Sequence, residues 1–312
     1  MNKKNEYKFI KLYQEVIMIF KFRTWMMCIL VGIAFHTSGF CNEMRLGYTN
    51  DSTSIITTNL VKVVLVEKLG VSVKMTEYPV DQLWREVANG NVDAMVSAWL
   101  PQSHSSLLKK YKGQVEILKP VTLGIQIGLV TPTYVTINRL DQFNTKASRF
   151  KKQIYCIKGH HGSIEMTKRA IAAYSLQKVK YVELTEPKMI KKIEDCASKM
   201  EWIALGVWSP HIIFSQCKLK FLNDTKEVFS KDEQIVAVSK TTLQKDARDA
   251  YAFLKKFYCS PKELQEIMNT VIKLNKSPYG AAKDYISKNP DQVKKWIQNV
   301  EKGHQKRRFH LK

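Results

Sequence analysis

At 312 residues, with 45% hydrophobic and 25% charged side chains, the chain is long enough for one or two compact domains and is neither disordered nor fibrous in composition. Its 50 Lys and Arg against 28 Asp and Glu leave a formal net charge of +22, a balance that often marks affinity for nucleic acid or anionic surfaces. The lysines are spread over most predicted helices, with no arginine-rich block, zinc-ligand spacing or aromatic-basic RNA motif, so nucleic acid is excluded as the expected partner and a solvated basic surface remains.

In chain order, Lys21 and Arg23 precede an apolar run over residues 25–35 and a small polar stretch over 36–39. The run is about half of the ~20 residues needed to cross a bilayer, so residues 1–41 read as a signal peptide or an N-terminal anchor. The chain is therefore expected to be exported, periplasmic or otherwise extracytoplasmic. Cys156, Cys196, Cys217 and Cys259 lie beyond that leader. Their spacing fits neither a metal knuckle nor a dense disulfide framework, so no metal is expected, and an oxidising compartment allows a bridge whose pair the sequence does not choose.

Short β-rich runs then alternate with amphipathic helical patterns. Residues 44–48 predict a strand, 53–69 a helix closed by Gly70, 71–78 a strand and 81–88 a helix stopped by Asn89-Gly90. Residues 92–99 form an apolar strand that ends in Leu100-Pro101. A second set opens after Pro132, with polar residues 141–152 reading as a crossing between lobes. It continues with strand 153–157, the turn Gly159-His-His-Gly162, a helix opened by Ser163, strand 181–184, helix 186–198 and strand 202–208, which ends at Ser209-Pro210. Residues 234–239 start a return segment, and 241–300 are helical with breaks near Ser260-Pro261 and Ser277-Pro278. The expectation is an α/β fold of two lobes, each a mixed, mostly parallel sheet flanked by helices, with a ligand cleft between them. Residues 42–137 are assigned to lobe I, 138–233 to lobe II, and 234–312 to a return into lobe I with the carboxy-terminal helices.

Two strand ends share a syntax: Ser97-Ala-Trp99-Leu-Pro101-Gln-Ser-His104 and Gly206-Val-Trp208-Ser-Pro210-His211. In each, a proline stops the ladder and leaves an indole at a sheet edge. A lone tryptophan in such a strand is more often core; a matched pair, one per lobe, points to the cleft. With Val87-Ala-Asn-Gly-Asn-Val-Asp-Ala94, Gly128-Leu-Val-Thr-Pro-Thr-Tyr-Val135 and Ala250-Tyr-Ala-Phe-Leu254, the chain from about Met44 to Val300 resembles the glycine betaine-binding proteins of osmoprotectant ABC importers, which have a periplasmic-binding-protein-like fold.

That resemblance implies Trp99 and Trp208 as walls of an aromatic cage and His104 as a contact for the ligand carboxylate. Trimethylammonium carries charge but no hydrogen to donate, so only cation–π attraction and apolar contact hold it. Gly162 and Ser163, at a helix start, correspond to the amides that grip the carboxylate. His160 and His161 depart from the family's turn there, and His161 is expected to add a wall or a donor. Relatives carry a Trp after the first strand where this chain has Gly47-Tyr48-Thr-Asn50-Asp51. Either Tyr48 supplies the third ring and Asn50 meets a ligand hydroxyl, or Asp51 faces the cation; Asp51 serves equally well as the cap of the following helix. The implied ligand is glycine betaine or a related quaternary-ammonium compound, with choline and carnitine as alternatives. The implied partners are the permease and ATPase of an importer, the expected oligomeric state is a monomer, and no cofactor is expected. No G-x-S-x-G elbow, H-E-x-x-H or P-loop occurs, so no enzyme is expected, and a hydrolase of choline esters is the remote alternative.

Overall fold

The computed structural model describes residues 43–309 apart from 177, 230 and 231, and the side chains of these except at 161, 299 and 301–309. The leader expected over residues 1–41 lies outside them. Among the described residues, no helix is long and apolar enough to cross a membrane.

The first lobe starts with Met44–Tyr48 (β1), Ser52–Glu67 (α1), Val73–Glu77 (β2), Val80–Ala88 (α2), Ala94–Leu100 (β3), Ser105–Lys110 (α3) and Val115–Thr122 (β4). Gln126–Pro132 (β5), Gln153–Ile157 (β6), His161–Ala173 (α4), Lys180–Leu184 (β7), Glu186–Ser198 (α5), Leu205–Ser209 (β8) and Leu219–Phe221 (β9) build the second. Gln234–Lys240 (β10) returns to the first lobe, and Pro261–Lys273 (α6), Pro278–Lys288 (α7) and Pro290–Phe309 (α8) complete the described chain. The two sheets have the orders β2-β1-β3-β10-β4 and β7-β6-β8-β5-β9. Each is mixed, with β1 parallel to β2 and β3, and β10 antiparallel to β3 and β4. The second repeats this plan, with β6 parallel to β7 and β8, and β5 antiparallel to β8 and β9. Parallel and antiparallel ladders are thus equal in number, where a parallel majority was expected.

The expected lobe boundary at residue 137 moves forward. β5 pairs with β8 from Gln126↔Ser209 to Val130↔Leu205, and its Ile127, Leu129 and Val130 are buried, so the chain has crossed by residue 126. Residues 141–152, expected to be that crossing, instead form short helical turns that bury Phe143 and Phe150 in a stack 4.3 Å apart. The crossing falls at Leu123–Ile125, and the return falls at β10, which is locked into the middle of its sheet.

Local chemistry explains the element ends. The Asp51 carboxylate accepts the Ser54 N–H at 2.9 Å and caps α1, and Ser260 with Glu263 forms a capping box on α6. The turn in the Val87–Ala94 motif ends on Asp93, which accepts from the Arg45 backbone N–H at 2.7 Å and pairs with Arg45 Nη2 at 2.6 Å and Lys240 Nζ at 2.9 Å. Burial pushes the Asp93 carboxyl up; Arg45 and Lys240 outweigh this and hold it below its ordinary value. One carboxylate thereby ties β1, the turn before β3 and β10 together.

Candidate functional site

Trp99, the penultimate residue of β3, and Trp208, the penultimate residue of β8, come from different lobes, and their rings meet at 5.5 Å and 74°. Both are buried. Each is followed at two residues by a proline joined through a cis peptide bond, Leu100-Pro101 and Ser209-Pro210. The Trp208 Nε1–H donates to Thr53 Oγ1 at 3.0 Å, and the Thr53 hydroxyl donates to the Pro210 carbonyl at 3.1 Å. Thr53 belongs to the start of α1 in the first lobe, so this second-lobe indole is held in place by the opposite lobe.

His104 closes the loop after Trp99. Its backbone N–H donates to the Trp99 carbonyl at 2.9 Å, while its Nδ1 accepts the Trp99 N–H at 3.0 Å and the Trp84 Nε1–H at 3.3 Å. An imidazole nitrogen that accepts carries no proton, so His104 is neutral and keeps its proton on Nε2 as a donor. The same loop is pinned from the return segment: buried Glu233 accepts the Gln102 and Ser103 N–H groups at 3.2 and 2.9 Å.

A cavity of about 200 Å³ opens here, and among its walls are Asn50, Asp51, Tyr78, Trp99, His104 and His160. Trp99, His104, Asn50 and Asp51 are therefore brought together. Tyr48 is not among the lining residues. It ends β1 with its carbonyl accepting the Tyr78 N–H at 2.9 Å, and Tyr78 takes the lining position instead. The missed signal was Tyr78-Pro79, an aromatic directly after a strand end with a proline next to it, a looser variant of the Trp-X-Pro spacing that marks both tryptophans.

The helix-start turn also departs from expectation. His160 brings a ring to the tryptophans: it stacks on Trp208 at 3.7 Å and 20° and stands edge-on to Trp99 at 4.9 Å and 90°. The side chain of His161 lies outside the described atoms. The Ser163 N–H, expected to face a ligand carboxylate, donates to His160 Nδ1 at 3.2 Å, and the Ser163 hydroxyl donates to the His160 carbonyl. Gly162 lies against the other lobe, where a Cβ would fall 2.0 Å from Ser103 Oγ; only glycine permits this approach.

Asp51 caps α1 and lines the cavity at once. Burial pushes its carboxyl up to about 6, against the hydrogen bonds from Thr49 and Ser54 that favour the charge. Next to it, Glu186 accepts the Ser52 N–H at 3.0 Å across the lobe junction and lies 3.1 Å from His211 Nε2. Burial raises the Glu186 carboxyl; His211 and Ser52 overcome this and hold it below its ordinary value. His211 Nδ1 accepts the Ile213 N–H at 3.1 Å, so the His211 ring is fixed within the second lobe, and it is Glu186 that reaches Ser52 across the junction. Among the described residues, no group of His, Cys, Asp and Glu is placed to hold a metal ion.

Comparison with known proteins places this geometry. Over 102 residues the chain is 36% identical to the glycine betaine/carnitine transport binding protein GbuC of Listeria monocytogenes, and the match spans 32% of this chain and 33% of that protein. The lactococcal OpuAC crystal structure, closed on glycine betaine, is similar at 29% identity and a TM-score of 0.76, covering 82% of this chain and 99% of that one. ProX of Borrelia burgdorferi, a glycine betaine and L-proline-binding protein, is similar at 27% identity and a TM-score of 0.75, over 82% and 97% of the two chains. The model of the substrate-binding domain of ABC-type glycine betaine transport systems matches residues 42–288. That match runs through both sheets and the junction where the two tryptophans meet, and the chain belongs to this family of ABC-transporter substrate-binding proteins.

Proposed function

We propose that this chain captures glycine betaine, or a closely related quaternary-ammonium compound, between its lobes and presents it to the permease of an ABC importer. The observation that carries this reading is the meeting of Trp99 and Trp208 at 5.5 Å across the lobe junction. Each well-placed ring contributes about 0.5–2 kcal/mol toward a quaternary ammonium, whereas micromolar capture needs about 8 kcal/mol. Two rings leave most of that to the anionic end and to the exclusion of water on closure. The Nε2–H of His104 is the donor for a carboxylate. Asn50, on the same cavity wall, is within reach of a hydroxyl-bearing ligand.

A second reading has its own support. Asp51 and Glu77 both line the cavity, and a carboxylate beside the cage favours a plain cation such as choline over a zwitterion. The protein acts outside the cytoplasm, as a monomer, with the importer's permease and ATPase as partners, and the ligand favours the closed form that the permease reads.

Calorimetric titration with glycine betaine, choline, carnitine and proline betaine tests these readings. Glycine betaine is expected to bind most tightly and to change tryptophan fluorescence. Trp99→Ala and Trp208→Ala are each expected to weaken it at least tenfold with the fold retained by circular dichroism. Parental affinity in both variants overturns the cage, and choline binding alone moves the assignment to the second reading.

A further inference from the structure

His160 does two things with one ring. Its flat face covers Trp208 at 3.7 Å, with the edge of the contact completed by Trp99 at 4.9 Å. Its Nδ1 takes the Ser163 N–H at 3.2 Å, which makes His160 the cap of α4. The first contact uses the π-face on which a quaternary ammonium would rest. The second uses a helix-start amide suited to a carboxylate. His211 also packs against Trp208, with the two rings perpendicular at 4.6 Å, and the Trp208 Nε1–H is committed to Thr53. Trp208 is fully buried, so no face of it is offered to the cavity while His160 stays in place.

We propose that His160 is an internal stand-in for the ligand, a side chain that must rotate off Trp208 for a quaternary ammonium to use that wall, and that its rotation frees the Ser163 amide at the same time. The proposal rests on the quaternary-ammonium reading of the cavity. Because stacking and capping are made by one ring, they are released together. A zwitterion whose carboxylate sits close to its ammonium replaces both contacts. A plain cation replaces only the stack and leaves the Ser163 N–H without its acceptor. Since binding competes with an intramolecular contact, apparent affinity falls by the fraction of molecules in which His160 has swung out. His160 thus sets the working affinity of the site without touching the bound ligand.

Two substitutions separate the ring's roles. His160→Ala removes both stack and cap, and its complexes with betaine and choline match the parent's complexes once His160 has swung out, so both ligands gain alike. His160→Asn keeps an acceptor for the Ser163 N–H but cannot stack; choline no longer has to displace anything, whereas betaine still has to take the amide. Calorimetry on the full chain, with glycine betaine and with choline, is therefore expected to show at least fivefold tighter binding of both ligands to His160→Ala. In His160→Asn the ratio of betaine to choline affinity is expected to fall at least fivefold below the parent's. Proton NMR of the parent adds a direct reading: the His160 ring resonances, shifted upfield over Trp208, move downfield when glycine betaine is added. Weaker binding to His160→Ala makes the ring a wall that touches the ligand and overturns the proposal, as does unchanged affinity in both variants. If the parent binds neither ligand, the quaternary-ammonium reading itself falls; if the parent binds and Trp208→Ala abolishes binding while His160→Ala gains nothing, only the stand-in is lost.

Discussion

Thr53 shows how much one hydroxyl holds at the junction. It accepts from Trp208 and donates to Pro210, and it is fully buried. Thr53→Val keeps the shape but strands the Trp208 Nε1–H and the Pro210 carbonyl, and a buried unsatisfied group costs about 1–3 kcal/mol. Because the lost bonds cross the lobes, the cost falls on the closed form, so ligand affinity is expected to drop about tenfold or more by calorimetry, with a smaller change in Tm. Asp51 has a different signature. Its carboxyl, raised to about 6 from 3.8, binds its proton more tightly in the folded chain, so its contribution to stability is whole below the unfolded value and is lost as pH rises through 6. The difference corresponds to about 3 kcal/mol. Glu186, held below its ordinary value, runs the other way, and its contribution is lost only as pH falls below about 4.5. Asp51→Asn keeps a capping oxygen for Ser54 and removes the charge. It is expected to raise Tm at pH 7.5 and to flatten the Tm profile between pH 4.5 and 6; an unchanged profile counts against the raised carboxyl.

At the scale of elements, the Val87–Ala94 motif is a device for fixing strands as well as a turn. Asp93 links β1 to β10 through Arg45 and Lys240, and β10 is the strand on which the chain returns from the second lobe. Asp93→Ala is expected to lower stability by about 2–3 kcal/mol, since it leaves two cations and a backbone N–H without their acceptor. Chemical denaturation at two salt concentrations checks this, with the loss smaller at high salt. The strands that sequence left unassigned were β4, β5 and β9. β4 is an edge strand carrying Pro120 within it, β5 ends on Pro132, and β9 has three residues. Proline reads as a strand breaker along the chain, and only the sheet reveals Pro120 on an edge strand and Pro132 at the last position of an interior one. By contrast, α6 and α7 were legible because Ser-Pro at their starts combines a cap with the residue best suited to the first helical turn.

For the whole molecule, the closed arrangement rests on contacts made by small residues. Gly162 meets Ser103 so closely that a Cβ would lie 2.0 Å from its hydroxyl and 2.5 Å from its Cβ. Gly162→Ala is expected to hold the lobes apart, weakening ligand binding at least tenfold and enlarging the radius of gyration in solution scattering, with Tm little changed. Adding Ser103→Gly is expected to restore both, and failure of that rescue assigns the effect to α4 itself.

The sequence by itself determined the α/β alternation, the capped helices and the two strand-end tryptophans, because these follow from periodicity and from proline at fixed offsets. It left Asp51 open between a helix cap and a group facing the cation, and the Ser54 hydrogen bond realises the cap. Which aromatic lines the cavity, Tyr78 rather than Tyr48, and that His160 covers Trp208, were decided only in three dimensions. Neighbouring residues on a strand or at a helix start point in different directions, and a shift of one position exchanges the face that meets the cleft. The lobe boundary was settled there too, since the partner of a strand is chosen by hydrogen bonding and burial between segments far apart in the chain.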